Sequence, residues 1–196
     1  MNEKGRKKNP AISRIYVRTA PRDRRRGVLV AGNRAFACAL GRGGMSARKR
    51  EGDGATPAAA MRVVSGWFRP DRVVRPRTAL ALRAITARDG WCDAPADANY
   101  NRPVRLPFAK SHETMLRDDR LYDVCLVLGW NLEPFGRKRN GGSAIFLHVA
   151  KPGLAPTEGC IAVAPETMRR LLPRIGPGTV VTVLAAGPGA RRRRRR

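Results

Sequence analysis

The chain has 196 residues and a formal net charge of +25, from 40 Lys and Arg against 15 Asp and Glu. Hydrophobic residues make up 42% of the sequence, too many for a wholly disordered basic chain, so we expect one folded domain with an extreme positive charge. This composition excludes a fibrous protein, a cysteine-rich scaffold and a multi-pass membrane protein, and the length allows a core that needs no disulfide or structural metal.

Apolar alternation and turn signals predict many short strands in chain order. Gly32-Asn33 marks the turn of a hairpin between the second and third of them. Segments 41–57 and 89–107 are rich in Gly, Pro and charged or polar residues and are predicted to be loops. The predicted strands cover residues 12–19, 28–31, 35–40, 61–68, 78–86, 121–130, 143–149 and 179–184.

A single short helix is predicted over residues 165–175. Pro165 suits a first helical turn, Glu166 favours its positive end, and Arg169 and Arg170 lie toward the other end. Many short strands with one helix indicate a mainly β fold, a sandwich or barrel of mixed sheets.

The charge is concentrated at the two ends of the chain. Residues 1–26 carry a net +8, and the six arginines at 191–196 add +6. We therefore predict a basic N-terminal extension over 1–25, a folded domain over 26–186 and a disordered poly-Arg tail over 187–196, with flexible termini. Two interpretations of these basic termini stay open: solvated ends without a partner, or arms that contact an anionic polymer such as nucleic acid, anionic lipid or wall polymer.

Other features of the sequence narrow the class of protein. No apolar run reaches the length of a transmembrane segment, and no signal peptide is recognisable. Aromatic residues are 6% of the chain and do not alternate with basic ones, which weakens the case for a nucleic-acid stacking surface. None of the four cysteines forms a CxxC pair, so a zinc site is not predicted; Cys38 and Cys125 lie in apolar stretches typical of a core.

The segment from His148 to Cys160 contains the candidate catalytic residues. A predicted strand ends in His148, a Pro- and Gly-rich loop follows, and Gly159-Cys160 precedes a short apolar run. A thiol near its usual pKa is mostly protonated at neutral pH, so a nucleophilic cysteine needs a neighbouring base, and an imidazole can serve. Gly159 leaves room beside the thiol, and backbone N–H groups there suit an oxyanion. On spacing alone, a catalytic and a structural cysteine both stay open.

The run Thr157-Glu158-Gly159-Cys160-Ile161, with His148 and the loop before it, resembles the signature of the YkuD-type L,D-transpeptidases. That signature is a strand ending in His, a variable loop, and a Ser/Thr-His-Gly-Cys-Ile/Val run. Thr56-Pro57 is similar to a Thr-Pro element of the family, and residues 91–129 are similar to the form in a proteobacterial branch. The resemblance covers residues 26–186.

The resemblance implies the role of each catalytic residue. Cys160 would be the nucleophile and His148 the general base and acid. The N–H groups of Gly159 and Cys160 would bind the oxyanion, and the backbone carbonyl of Val149 would orient the imidazole. Substrate contacts are expected from a wider set: Tyr100, Asn101, Arg105, His112, Thr157 and Glu158.

The chain also departs from the family pattern. Glu158 stands where the family usually has a histidine, and Ala162 stands where a basic residue often follows. Three alanines at 58–60 replace a glycine that is common after the Thr-Pro element. The nucleophile and the base are kept, so the resemblance still implies acyl transfer.

The implied function is cross-linking of peptidoglycan stem peptides through a cysteine thioester, in the periplasm or cell envelope, without metal or organic cofactor. Covalent inhibition by carbapenems is expected. Two alternatives stay open: an L,D-carboxypeptidase or endopeptidase that uses water as acceptor, and a basic polyanion-binding protein with an inactive domain of this type.

Overall fold

The fold was examined in a computed structural model that describes residues 10–184. The predicted poly-Arg tail at 187–196 and the first nine residues of the predicted extension lie outside this range. The chain is mainly β, as predicted, with one short α-helix. Its strands are β1 (Arg14–Ala20), β2 (Asp23–Ala31), β3 (Arg34–Ala39), β4 (Met45–Ser46), β5 (Thr56–Pro57), β6 (Ala60–Phe68), β7 (Leu82–Ala84), β8 (Asp89–Cys92), β9 (Arg102–Arg105), β10 (His112–Thr114), β11 (Val124–Leu128), β12 (Phe146–Val149), β13 (Ile161–Val163) and β14 (Val180–Val183).

Nine strands form one mixed sheet in the order β11-β12-β13-β3-β2-β1-β14-β6-β7. An additional pairing of β11 with β6 closes eight of them into a ring, and β7 extends from β6. The pairs β1–β14, β6–β7 and β12–β13 are parallel, and the other pairs of this sheet are antiparallel. The predicted barrel of mixed strands is therefore present.

Alternation in the sequence explains which face of each strand is buried. On β1, Ile15 and Val17 are buried while Arg14, Tyr16 and Arg18 are exposed, as expected for side chains with a period of two. The buried sides of β1, β2, β6, β11, β12 and β14 meet in the main hydrophobic core. Burial of these branched apolar side chains supplies most of the stabilisation.

Strand β1 and the start of β2 lie within residues 1–25, which charge alone assigned to a basic extension. Both strands pair fully in the large sheet, so the folded part begins earlier than the predicted boundary at residue 26. The physical reason is that a strand needs only one apolar face, and arginines on the other face remain in solvent.

A second, smaller sheet has the order β10-β8-β9, and a two-stranded parallel pair joins β4 and β5. The prediction of a loop over 89–107 was wrong, because β8 and β9 pair as antiparallel strands there. The segment is rich in Gly, Pro and Asp, and packing of Trp91 in a second apolar cluster stabilises it. This cluster also contains Tyr122, Cys125 and Phe146 and lies beside the segment that ends in Cys160.

Helix α1 spans Pro165–Leu171, and a 3₁₀ turn at Leu172–Arg174 completes the helical segment predicted over 165–175. Pro165 lies in its first turn, and Thr167, Met168 and Leu171 are its buried residues. Within residues 10–184, no helix has the length and apolar character needed to cross a bilayer.

Candidate active site

His148 lies on β12 between two neighbouring strands, opposite Cys125 on β11 and Ala162 on β13. Its side chain is buried, with 4% exposure. Nδ1 is 2.7 Å from the carbonyl oxygen of Val149. Since a carbonyl only accepts hydrogen bonds, Nδ1 carries the proton and Nε2 is left with its lone pair. Val149 is the residue for which the family resemblance implies this orienting contact.

The ring of Tyr122 packs edge-on against the imidazole, with 5.6 Å between the ring centroids. Tyr122 also packs against Phe146, two residues before His148 on the same strand face. These contacts restrict the rotation of the imidazole, so its free nitrogen has a fixed direction.

Cys160 directly precedes β13, which runs parallel to β12. Because Ala162 is opposite His148 and side chains alternate, Cys160 lies on the same face as His148, one step diagonally along the sheet. The Phe146 N–H donates to Sγ at 3.4 Å, and the thiol donates to the carbonyl of Ala144 at 3.1 Å. In this resting arrangement the thiol proton is held by a backbone oxygen.

The turn before Cys160 requires glycine. Gly159 has φ of 138°, which side chains rarely allow, and a Cβ there would be 3.0 Å from the carbonyl oxygen of Ala55. Its N–H donates to Thr157 Oγ1 at 3.2 Å, so the predicted oxyanion donor already has a partner in this state.

Two threonines fix the backbone of Cys160. The Thr157 hydroxyl donates to the carbonyl of Cys160 at 2.7 Å, and Thr56 Oγ1 lies 3.4 Å from the same oxygen. Thr56 is fully buried and also accepts a hydrogen bond from the N–H of Gly41. The Thr-Pro element noted in the sequence therefore supports the position of Cys160.

Cys160 and His148 line one cavity of about 170 Å³. Thr157 and Glu158, both predicted substrate contacts, line it as well. Glu158 is at the exposed rim, where Arg42 Nε donates to its Oε2 at 2.6 Å. The cavity is thus closed at its base by the buried pair and has a charged rim.

The other predicted substrate contacts lie elsewhere among the described residues. Tyr100 is buried and donates to Glu51. Asn101 is buried and bonds to Trp91, Ala144 and two carbonyls of the 130–131 segment, which is a structural role. Arg105 is exposed near Asp89, and His112 contacts Lys110 and Phe108. Within residues 10–184, none of the four lines the Cys160 cavity.

Four charged or aromatic residues of the cavity wall were not predicted from the sequence: Glu113, Arg117, Tyr122 and Lys151. Arg117 holds Asp119 with two bonds of 2.9 and 2.8 Å, and its Cζ lies 5.2 Å from the centre of the Tyr122 ring. The signal for Glu113 and Arg117 was the charged stretch after His112, in which they are four residues apart. Tyr122 lies in the block at 91–129 that resembles a branch of the family, but no role was assigned to it.

Burial sets the protonation states of the pair. It raises the pKa of the Cys160 thiol from 9.0 to about 12, although the Phe146 N–H acts in the opposite direction. It also lowers the pKa of His148 from 6.5 to about 4, against the contact with the Val149 carbonyl. At neutral pH the resting site therefore holds a neutral thiol and a neutral imidazole, so the base can accept a proton.

Comparison with known proteins identifies the family of the chain. The profile of the YkuD family, described as the L,D-transpeptidase catalytic domain, matches residues 14–183. The chain therefore belongs to the YkuD family of L,D-transpeptidase catalytic domains. This is a family of enzymes that act on peptidoglycan in the cell envelope. Neither a curated protein nor a solved structure gives a significant match.

Proposed function

We propose that this protein is a peptidoglycan L,D-transpeptidase that works through a thioester on Cys160. The observation that carries the proposal is the buried His148, which shares a cavity with the thiol and whose Nδ1 is held by the Val149 carbonyl. That contact leaves Nε2 as the free base. Membership of the family supports the same chemistry.

In the first half-reaction, the sulfur of Cys160 attacks a peptide carbonyl of a donor stem. The S–C bond forms and the C–N bond to the terminal residue breaks. His148 Nε2 takes the thiol proton and delivers it to the departing amine, so the imidazole ends neutral. Both groups start neutral, so the ion pair forms when the proton passes from Cys160 to His148 during the attack.

The negative charge that develops on the substrate carbonyl oxygen needs hydrogen-bond donors close to Cys160. The N–H of Cys160 makes no hydrogen bond within residues 10–184 and is the first candidate. The N–H of Gly159 becomes a second donor if its hydrogen bond to Thr157 Oγ1 breaks. Thr157 would keep its hydrogen bond to the Cys160 carbonyl. Two such donors are the usual form of an oxyanion hole.

In the second half-reaction, the amine of an acceptor stem attacks the thioester. The new C–N bond forms as the C–S bond breaks, and one N–H proton passes through His148 to the sulfur. The product is a cross-link between two stems, which contributes to cell-wall biogenesis and cell shape. If water replaces the amine, the same thioester gives trimming, the activity of a carboxypeptidase or endopeptidase.

The basic surface supports an anionic partner. Arg14 and Arg18 are exposed on β1, and the arginines at 24–26 are exposed at the start of β2. Peptidoglycan stems carry carboxylates, so these arginines raise the local concentration of substrate by ordinary electrostatic attraction. The same attraction acts on other anionic polymers of the envelope.

The test is mass spectrometry of muropeptides after incubation with the purified protein. We expect cross-linked dimers that require Cys160, and release of the terminal residue of the donor. Trimmed monomers without dimers would identify a hydrolase. An unchanged muropeptide pattern, together with salt-dependent DNA binding that persists in Cys160→Ala, would favour the polyanion-binding alternative.

A further inference from the structure

Glu113 is the carboxyl group in the cavity wall whose hydrogen bonds are least complete. It lies on β10, and its side chain is 32% exposed. The Tyr122 hydroxyl donates to Oε2 at 3.3 Å, and Arg117 Nη1 lies 3.4 Å from the same oxygen. Oε1 makes no hydrogen bond within residues 10–184. A carboxylate accepts about four hydrogen bonds, so this one has capacity for a donor from the cavity.

The neighbouring acids are already occupied. Asp119 accepts two short hydrogen bonds from the Arg117 guanidinium, so only a long contact from Arg117 remains for Glu113. Glu158 is the other carboxylate that lines the cavity, but it bonds Arg42 at 2.6 Å and its side chain is 74% exposed. Glu113 is therefore the more buried of the two cavity carboxylates and the one with free acceptor capacity.

Its surroundings make this group selective for a cation. Burial raises the pKa of Glu113, with Asp93 adding in the same direction and Arg117 opposing it. A partly buried carboxylate gains more from a positive partner than one in open solvent, because the local dielectric constant is lower. The Tyr122 ring and the Leu121 side chain line the cavity beside Glu113 and give this side an apolar surface.

We propose that Glu113 binds the ammonium group of the acceptor amine and so directs the thioester toward transpeptidation. This inference rests on the proposed function, because it requires a thioester on Cys160. A primary amine with a pKa near ~10 arrives as an ammonium ion at neutral pH. Glu113 holds the nitrogen in the cavity that contains the thioester, and the ammonium releases one proton to solvent before it attacks.

The position of Glu113 fits this role better than a role in acylation. It approaches the cavity from β10, a strand of the small sheet, whereas His148 and Cys160 belong to the large sheet. Tyr122 contacts both Glu113 and the His148 ring, so it connects the proposed acceptor-binding carboxylate to the imidazole. The acceptor nitrogen would thus stand between the carboxylate and the imidazole that receives its second proton.

The experiment measures how the thioester divides between amine and water. Wild type, Glu113→Gln and Glu113→Asp are incubated with a tetrapeptide stem as donor and a stem with a free side-chain amine as acceptor. The ratio of cross-linked to hydrolysed product is read by mass spectrometry. Both products come from the same thioester, so the ratio does not depend on how fast the thioester forms. Glu166→Gln, an exposed acid on α1, is the matched control.

A second acceptor separates charge recognition from a general effect on the fold. Hydroxylamine is uncharged at neutral pH and attacks thioesters without an ammonium group. We expect the product ratio with the stem amine to fall about 10- to 100-fold in Glu113→Gln, as for loss of a charged hydrogen bond, and the ratio with hydroxylamine to stay near wild type. Glu113→Asp should recover part of the ratio, and Glu166→Gln should match wild type.

Two results would overturn the inference while the proposed function stands: an unchanged ratio in Glu113→Gln, or an equal fall with both acceptors. A wild-type protein that forms no thioester with the donor would instead refute the proposed function, and the role of Glu113 with it.

Discussion

Cys38 and Cys160 are two thiols that both lie near β13, with very different surroundings. Cys38 on β3 is opposite Val163 on β13, and Cys160 directly precedes that strand. Burial raises the pKa of each thiol to about 12. Cys38 is fully enclosed in the main core, whereas Cys160 lines a cavity together with His148.

The contrast shows that the pKa of the resting thiol does not distinguish a nucleophile from a core residue here. Both thiols are neutral at pH 7, so neither is a reactive thiolate on its own. What differs is access to the sulfur and the presence of a neutral imidazole with a free nitrogen. The proposed reactivity of Cys160 therefore depends on the imidazole and on the cavity, and the pKa of the resting thiol does not explain it.

The largest expected effect tests the contrast directly. Incubation with a carbapenem should add its mass to wild type and to Cys38→Ala, and Cys160→Ala should show no adduct, because only Cys160 is accessible from the cavity. Intact-protein mass spectrometry measures this. An adduct that persists in Cys160→Ala and disappears in Cys38→Ala would reverse the assignment of the two thiols.

Removal of the base should have the next largest effect. His148→Ala should slow acylation by about 10²- to 10⁴-fold, the usual range for loss of a general base. The comparison variant is His112→Ala, which removes the chain's other histidine and should cause a far smaller loss. Stopped-flow fluorescence with a carbapenem measures both rates. A wild-type rate in His148→Ala would transfer the role of base to another group.

The buried neutral imidazole should also make stability depend on pH. The folded protein holds the pKa of His148 at about 4, below its ordinary 6.5. The unfolded chain therefore binds a proton first as pH falls, and the free energy of unfolding decreases between about pH 6.5 and pH 4. From the size of this pKa shift we expect roughly 3 kcal/mol.

Urea unfolding at pH 7 and pH 4 checks this value against His148→Gln. Other titrating groups are common to both proteins, so the difference between the two pH dependences reports the imidazole. Equal pH dependences would mean that His148 is as easily protonated in the folded protein as in the unfolded chain.

The smallest effect concerns a contact of Cys160 itself. Thr157→Val removes the hydroxyl that donates to the Cys160 carbonyl and accepts from Gly159, and should destabilise the fold by about 1–2 kcal/mol. Thr114→Val, at an exposed position on β10, is the control and should change stability little. Equal unfolding midpoints in urea for the two variants would show that the Thr157 hydroxyl does not hold the Cys160 backbone.

The parts of the fold that follow from local pattern were predictable. Apolar alternation identified β1, the Gly32-Asn33 turn identified the β2–β3 hairpin, an apolar segment identified β6, and Pro165 marked the start of α1. The strand predicted over 78–86 shortened to β7 at Leu82–Ala84, because it pairs only with the end of β6. The β8–β9 pair was missed because its stability comes from the burial of Trp91 and Asn101 against distant elements.

The Cys160–His148 pair of the candidate site was also predicted from the sequence, whereas the charged and aromatic residues of the cavity wall were not. Spacing alone left a catalytic and a structural cysteine open, and the resemblance of His148 and the run at 157–161 to the family signature indicated the pair. The parallel pairing of β12 and β13 places the two residues on a shared face. Glu113 lies on the small sheet and Arg117 lies in the irregular segment that follows it, so both reach the cavity only through the folded arrangement. Tyr100 and Asn101 were the opposite case: polar residues in a Pro-rich segment whose bonds fix the interior.

The link between β12 and β13 has a consequence for how this site can change over time. Three register pairs fix His148 relative to Cys160, while the connecting residues pass over the surface with Gly153 exposed and unobstructed. Doubling the length of such a loop costs only about 0.6 kcal/mol in closure entropy. Insertions near Gly153 should therefore leave the base and the nucleophile in place. Evolution can reshape one side of the cleft by lengthening this link, and the separation of the two residues along the chain is free to vary.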